Sequence, residues 1–252
     1  MADRGRLFCS RIHVGEVRDL SARPKPCCKI QREESTFHLS DADYRKYLAV
    51  ELKSGVEVKD CEACWVRERA GQRSYRHQGD DLVTDLEKEK LMNDPYIKLP
   101  IRHLEIILSN VCNFACQMCG PALSTKWQSL IKKKKVFKNS KVYWNNPSDL
   151  RKKSNSYTDD ELKGVRVIKL MGGEPFHAKE TGELLERIDS LGIAPNMRLE
   201  TPTNCSTFPT LRQQEILSKF EQLGIGTSFD GVRELNDWIR YGSKWDVVIK
   251  NF

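Results

Sequence analysis

No stretch of this 252-residue chain is apolar for anything near the roughly 18 residues that a membrane-spanning helix needs. Its opening, MADRGRLFCSR, lacks the apolar run of a secretory leader. Both absences point to the cytoplasm. Charge of one sign is not dominant either. Forty-two Lys and Arg against 35 Asp and Glu leave a net charge of +7, a mild excess that fits a solvated basic surface and identifies no partner. Internal repeats are absent. What is present is a globular composition, 39% hydrophobic and 31% charged, which excludes a disordered chain. There are also nine cysteines. In a cytosolic chain thiols stay reduced, so a disulfide framework gives way to metal binding or catalysis as their use.

The cysteines fall into groups. Cys9, Cys27, Cys28, Cys61 and Cys64 occupy the first part, Cys112, Cys116 and Cys119 form a tight second group, and Cys205 stands apart. Between the groups runs a polar segment, Gly79 to Pro100, with a helical stretch at Leu82 to Met92 and prolines at 95 and 100. A boundary near residue 98 follows, dividing the chain into 1–98 and 99–252.

Beyond that boundary short apolar runs alternate with helical patterns. Leu104 to Leu108, Val165 to Met171, Met197 to Thr201 and Ile225 to Phe229 read as buried strands. Glu180 to Leu191 and Leu211 to Leu223 each gather apolar residues on one helical face. Alternation of this kind implies an α/β fold with a parallel sheet and crossover helices, its chemistry at the carboxyl ends of the strands. One stretch breaks the rhythm. Lys132 to Lys135 are consecutive, with Phe137, Tyr143 and Trp144 nearby. Basic residues among aromatics suit single-stranded nucleic acid. An exposed insertion is the simpler account and the favoured one.

Cys112, Cys116 and Cys119 are spaced C-x3-C-x2-C in a loop that follows the first expected strand. Soft thiolates suit iron–sulfur clusters or zinc. A closed structural site wants four protein ligands, whereas three leave a position open. Spacing and position resemble the signature of the radical S-adenosylmethionine (SAM) superfamily. That resemblance implies a [4Fe–4S] cluster whose free iron is chelated by SAM, which is reductively cleaved to methionine and a 5′-deoxyadenosyl radical. Met171-Gly172-Gly173-Glu174-Pro175-Phe176, after the second strand, resembles the family's GGEP motif. It would receive the SAM amino group, with Gly172 and Gly173 admitting a ligand to the backbone and Glu174 adding a charged acceptor. Thr203-Asn204 resembles the family's TN segment, although Cys205 stands where glycine is common. Ser228-Phe229-Asp230-Gly231 resembles SIDG, which makes Ser228 and Asp230 further candidates for SAM or substrate. Trp238-Ile239-Arg240-Tyr241-Gly242 and Trp245 extend the likeness. Arg240 either pairs with a SAM carboxylate or lies on an exposed helix surface, the second being preferred.

In the first group Cys61 and Cys64 form a C-x2-C pair. With Cys9 and one of Cys27 or Cys28 they complete a four-thiolate site, for an auxiliary iron–sulfur cluster or for zinc. The run Trp65 to Arg76 resembles the segment after the C-x2-C in twitch or SPASM-like modules, and the whole chain resembles phage-type radical SAM proteins that carry such a module before the core. The family's partial barrel has about six strands. The sequence reaches Phe252 soon after the fourth, so a truncated core, or one completed by a partner or a second copy, is expected.

The resemblance thus implies a radical SAM enzyme that needs an electron donor and acts on a peptide, a protein or a small molecule, with peptide or protein modification favoured. The competing reading is a non-catalytic zinc protein that binds nucleic acid through Lys132 to Lys135. It leaves the diglycine segment at a strand end unexplained.

Overall fold

The computed structural model describes residues 7–18, 24–134 and 157–252. They divide into two compact units. One comprises Met1–Glu105 with Gly164–Arg166, the other Ile106–Lys163 with Val167–Phe252. The division falls inside a strand, some residues after the proline-rich stretch at which the sequence suggests a boundary.

The first unit is built around four helices: α1 (Ser10–Val14), α2 (Asp41–Lys53), α3 (Glu62–Arg69) and α4 (Asp85–Asn93), with one short strand, β1 (Gly15–Arg18). Helix α2 begins where Ser40 accepts the Asp43 N–H, and its Tyr44, Leu48 and Leu52 recur every fourth residue to form one buried stripe. That stripe packs with Ile12, Cys27, Ile30, Val58 and Trp65. Trp65 settles its indole N–H on the Val58 carbonyl at 2.7 Å. The helix expected from Leu82 starts only at Asp85, because Thr84 and Glu87 form a reciprocal capping box there and Leu82 closes a short 3-10 turn instead.

The second unit carries the α/β pattern. Strand β2 (His103–Ser109) is shared between the units, its last four residues falling in the second. β3 (Ala115–Cys116), β4 (Val167–Gly172), β5 (Arg198–Thr203), β6 (Gln222–Thr227) and β7 (Arg240–Tyr241) follow in chain order. The helices are α5 (Thr125–Lys134), α6 (Asp159–Gly164), α7 (Lys179–Ser190), α8 (Leu211–Leu217), α9 (Glu234–Ile239) and α10 (Trp245–Asn251). The main sheet has the order β1-β2-β4-β5-β6, and β4, β5 and β6 run parallel. Leu184, Leu185 and Ile188 of α7 are buried, as their spacing requires.

Two expectations need correcting. Helix α8 stops at Leu217 rather than reaching Leu223, since the Glu221 N–H bonds to Ala194 and Met197 carbonyls and Gln222 already pairs with Arg198. Strand β6 therefore starts three residues earlier than its apolar run suggests, and all six of its residues are exposed. Phe137, Tyr143, Trp144 and Lys135 of the basic stretch lie outside the described residues. Among the described residues no helix is long and apolar enough to cross a membrane.

Candidate functional site

The C-x3-C-x2-C loop leaves the carboxyl end of β2 and is anchored at several points by the start of α5. The Cys112 N–H donates to Thr125 Oγ1 at 3.2 Å, and the Cys112 carbonyl accepts from Thr125 Oγ1 and from the Lys126 N–H. Ser124 Oγ donates to the Phe114 carbonyl at 2.6 Å, and the Trp127 indole donates to the Cys116 carbonyl at 2.9 Å. The loop's middle is β3, which pairs antiparallel with β7, so that Ala115 faces Tyr241 and Cys116 faces Arg240. Phe114, Cys116, Cys205 and Val248 form one buried cluster, with Cys112, Cys119 and Phe229 packed against it. The three motif sulfurs therefore share one small apolar region. Burial pushes the Cys112 thiol up to about 11, and the neighbouring Glu174, Cys116 and Cys119 push the same way.

The diglycine turn is bonded directly to the strand end that leads into this loop. Gly173 N–H donates to Ser109 O at 3.0 Å, and Glu174 N–H donates to Val111 O at 2.8 Å. A side chain at either glycine would collide with this backbone. An added Cβ on Gly172, whose φ is +122°, would lie 2.3 Å from Ser109 O, and one on Gly173 would lie 2.2 Å from Val111 O. Pro175 then opens a short turn (Pro175–His177) in which Pro175 and Phe176 are buried.

Glu174 is held from within the fold. Its carboxylate is buried and turned inward. It accepts the Asn204 N–H at 2.6 Å, the Thr203 hydroxyl at 2.7 Å and the Phe176 N–H at 3.3 Å. Burial raises its pKa and these donors lower it, with a net rise. It ties the end of β4 to the end of β5. Asn204 Nδ2 in turn reaches Asn113 Oδ1 at 3.2 Å and stands 3.9 Å from Cys112 Sγ. Cys205 takes a left-handed backbone, φ 57°, a conformation that glycine adopts without strain.

Ser228 continues from β6, its N–H bonded to Thr203 O at 2.9 Å. Asp230 pairs with Arg240 at 2.6 Å. The preference for Arg240 as an exposed helix residue is corrected here. Helix α9 ends at Ile239, Arg240 is in β7, and its side chain is only 14% exposed. The Nε of Arg240 is buried with no hydrogen-bond partner.

In the first unit the structure separates the adjacent cysteines. Cys27 lines a small cavity together with Cys9, Cys61 and Cys64, and with Arg11, Arg76 and Trp65. Cys28 is exposed and outside that lining, its thiol interacting with the Cys27 thiol first and then with Glu105 and Tyr75. Burial pushes Cys9 up to about 11 and raises Cys61, whose neighbours Cys9 and Cys64 add to the rise. Arg11 Nη1 is buried without a hydrogen-bond partner, a donor suited to the negative charge that four thiolates would bring. Among the described residues no three His, Cys, Asp or Glu side chains converge as they would on a single metal ion. The donor sets fit iron–sulfur clusters in number and softness, three thiols in one unit and four in the other.

Several supporting residues have no motif of their own. Thr125, Trp127 and Asn251, whose side chain donates to Cys205 O at 2.8 Å, all hold the loop or the strand ends. A Ser-Thr pair opening the helix after a cysteine loop is the one signal among them visible in sequence.

No curated protein matches this sequence. Among solved structures it is similar to SuiB of Streptococcus suis, at 19% identity and a TM-score of 0.38, covering 85% of this chain and 46% of that one. The structure of SuiB bound to S-adenosylmethionine matches at 18% identity and a TM-score of 0.36, over 85% and 47%. The chain thus spans about half the length of these proteins. The model of the radical SAM superfamily matches residues 106–252, more than half of the chain and nearly the whole second unit. With the three-cysteine loop bonded to a diglycine turn inside that span, the chain belongs to the radical SAM superfamily.

Proposed function

We propose that this chain is a radical SAM enzyme of the twitch or SPASM-like, phage-type group. In this reading Cys112, Cys116 and Cys119 hold the SAM-cleaving [4Fe–4S] cluster, and Cys9, Cys27, Cys61 and Cys64 hold an auxiliary one. The observation that carries it is the pair of backbone hydrogen bonds joining Gly173 and Glu174 to Ser109 and Val111, next to Cys112. They put a glycine-lined backbone edge beside the three sulfurs, where a ligand with an ammonium group could be met by carbonyl oxygens.

When bound and reduced, such a cluster supplies the electron that cleaves SAM. The chain's own residues do the rest. The Gly172-Gly173 turn admits the SAM amino group to the backbone. Glu174 holds that turn against β5 rather than reaching the ligand. In this reading Ser228 and Asp230, the latter paired with Arg240, border the SAM or substrate region. Phe114, Val248 and Phe229 keep water from the sulfurs.

The four thiols around the cavity suit an auxiliary iron–sulfur cluster, with zinc, which also accepts four thiolates, as the alternative. Cys28 stands outside that set. By analogy with proteins that carry such a module, the substrate is a peptide or protein. An electron donor, and a strand to cover the exposed β6 edge, are the partners the reading asks for.

The test is anaerobic reconstitution with iron and sulfide, followed by dithionite and SAM. Formation of 5′-deoxyadenosine is expected. A chain that takes up only zinc and leaves SAM intact would sink the proposal.

A further inference from the structure

We propose that Arg240 is a positioning residue for the cluster: its guanidinium donates an N–H···S hydrogen bond to the Cys116 sulfur and thereby raises the reduction potential of the centre. The inference rests on the reading that Cys112, Cys116 and Cys119 carry that cluster. It concerns a different property, the energy of the electron rather than the binding of SAM.

The contact is set by backbone geometry, not by a free rotamer. Cys116 and Arg240 are directly opposed across the β3–β7 pair, and the adjoining Gln117 N–H bonds to the Ile239 carbonyl at 2.9 Å. Gly242, at φ +103°, lets the chain pass close to the loop, where an added Cβ would lie 2.9 Å from Asn113 O. Arg240 Nη1 then stands 3.8 Å from Cys116 Sγ, within range for a sulfur acceptor. On the other side Nη2 meets the Asp230 carboxylate at 2.6 Å, which fixes the guanidinium plane. The three kinds of nitrogen are thus divided: one toward the sulfur, one toward the carboxylate, and Nε left buried and open.

An N–H donor beside a ligating thiolate favours the more negative, reduced state of the cluster, which raises its potential, while Asp230 offsets the guanidinium's net charge. The side chain is largely shielded from water, so the effect is weakly screened. A higher potential makes the cluster easier to reduce and a weaker reductant once reduced. Arg240 would therefore set the balance between accepting the electron and passing it on.

The experiment uses the full chain in a Cys61→Ala, Cys64→Ala background, so that only one cluster is present, reconstituted anaerobically and titrated by EPR without SAM. Arg240→Met is expected to keep its iron and show a lower midpoint potential, with Arg240→Lys between it and the parent. Equal potentials for the parent and a fully loaded Arg240→Met would overturn the proposal. Should Arg240→Met fail to load, pulsed EPR on the reduced parent carrying guanidino-15N arginine decides. A resolved 15N coupling is expected, and its absence overturns the proposal. If the parent itself shows no four-iron signal, the cluster reading fails first and this inference falls with it.

Discussion

The carboxylate of Glu174, at the end of β4, accepts the backbone N–H of Asn204, at the end of β5, at 2.6 Å. With the Thr203 hydroxyl and the Phe176 N–H this makes three donors converging on one buried acid. Glu174→Ala would strand them, at a cost of about 1–3 kcal/mol for each buried donor left unsatisfied. Denaturant unfolding of the metal-free chain should show a lower midpoint with an unchanged slope. Glu174→Gln, which keeps an acceptor oxygen, should lose less.

Gly173→Ala should act differently. Its new Cβ would press on Val111 O and the Val111 carbonyl carbon, which are backbone atoms without freedom to yield. Overpacking of this kind costs about 1–3 kcal/mol. Here it would part the turn from the loop. Cluster iron should be retained while SAM binding, followed by calorimetry under nitrogen, weakens about tenfold or more.

The two cysteine sets can be separated by iron content. The reconstituted chain should hold about eight iron atoms, two four-iron clusters. Cys116→Ala should halve this and abolish 5′-deoxyadenosine. Cys27→Ser or Cys61→Ala should also halve it, but leave the EPR signal of the SAM-binding cluster. Cys28→Ser should keep the full count, since Cys28 is exposed and does not line the cavity. Iron loss in Cys28→Ser equal to that in Cys27→Ser would refute the assignment.

Acid should loosen the first unit through Glu87. Its carboxylate caps Thr84 and grips Arg102 with both oxygens, at 2.7 and 2.6 Å. Hydrogen bonding to Arg102, chiefly, lowers its pKa from 4.5 to about 2. A depressed carboxylate stabilises the fold above its unfolded value, and that contribution disappears as pH falls from 4.5 toward 2. Glu87→Gln should flatten the acid limb of a stability-versus-pH curve in that window and lower stability at pH 7.

Much of this was legible in the sequence because it is local. The strands at β2, β4 and β5 are short apolar runs bounded by polar turns, and the C-x3-C-x2-C loop and the diglycine turn sit at strand ends as their order implies. What escaped depends on distant partners. Cys27 and Cys28 are neighbours with identical side chains, and only the path of the backbone decides which faces Cys9, Cys61 and Cys64. Arg240 follows a helical stretch and reads as its continuation until pairing with Cys116 draws it into a strand. The start of β6 is fixed by its register with Arg198 rather than by its own apolar run. Glu174 looks like a free acceptor until Thr203 and Asn204 arrive from another strand.

Pairing between Cys116 and Arg240 joins residues 124 positions apart. During synthesis the sulfur loop leaves the ribosome long before the segment that clamps it. The contact that meets Cys116 can therefore form only once β7 has emerged and folded back. The order in which this loop is closed is thus written into the order of the chain.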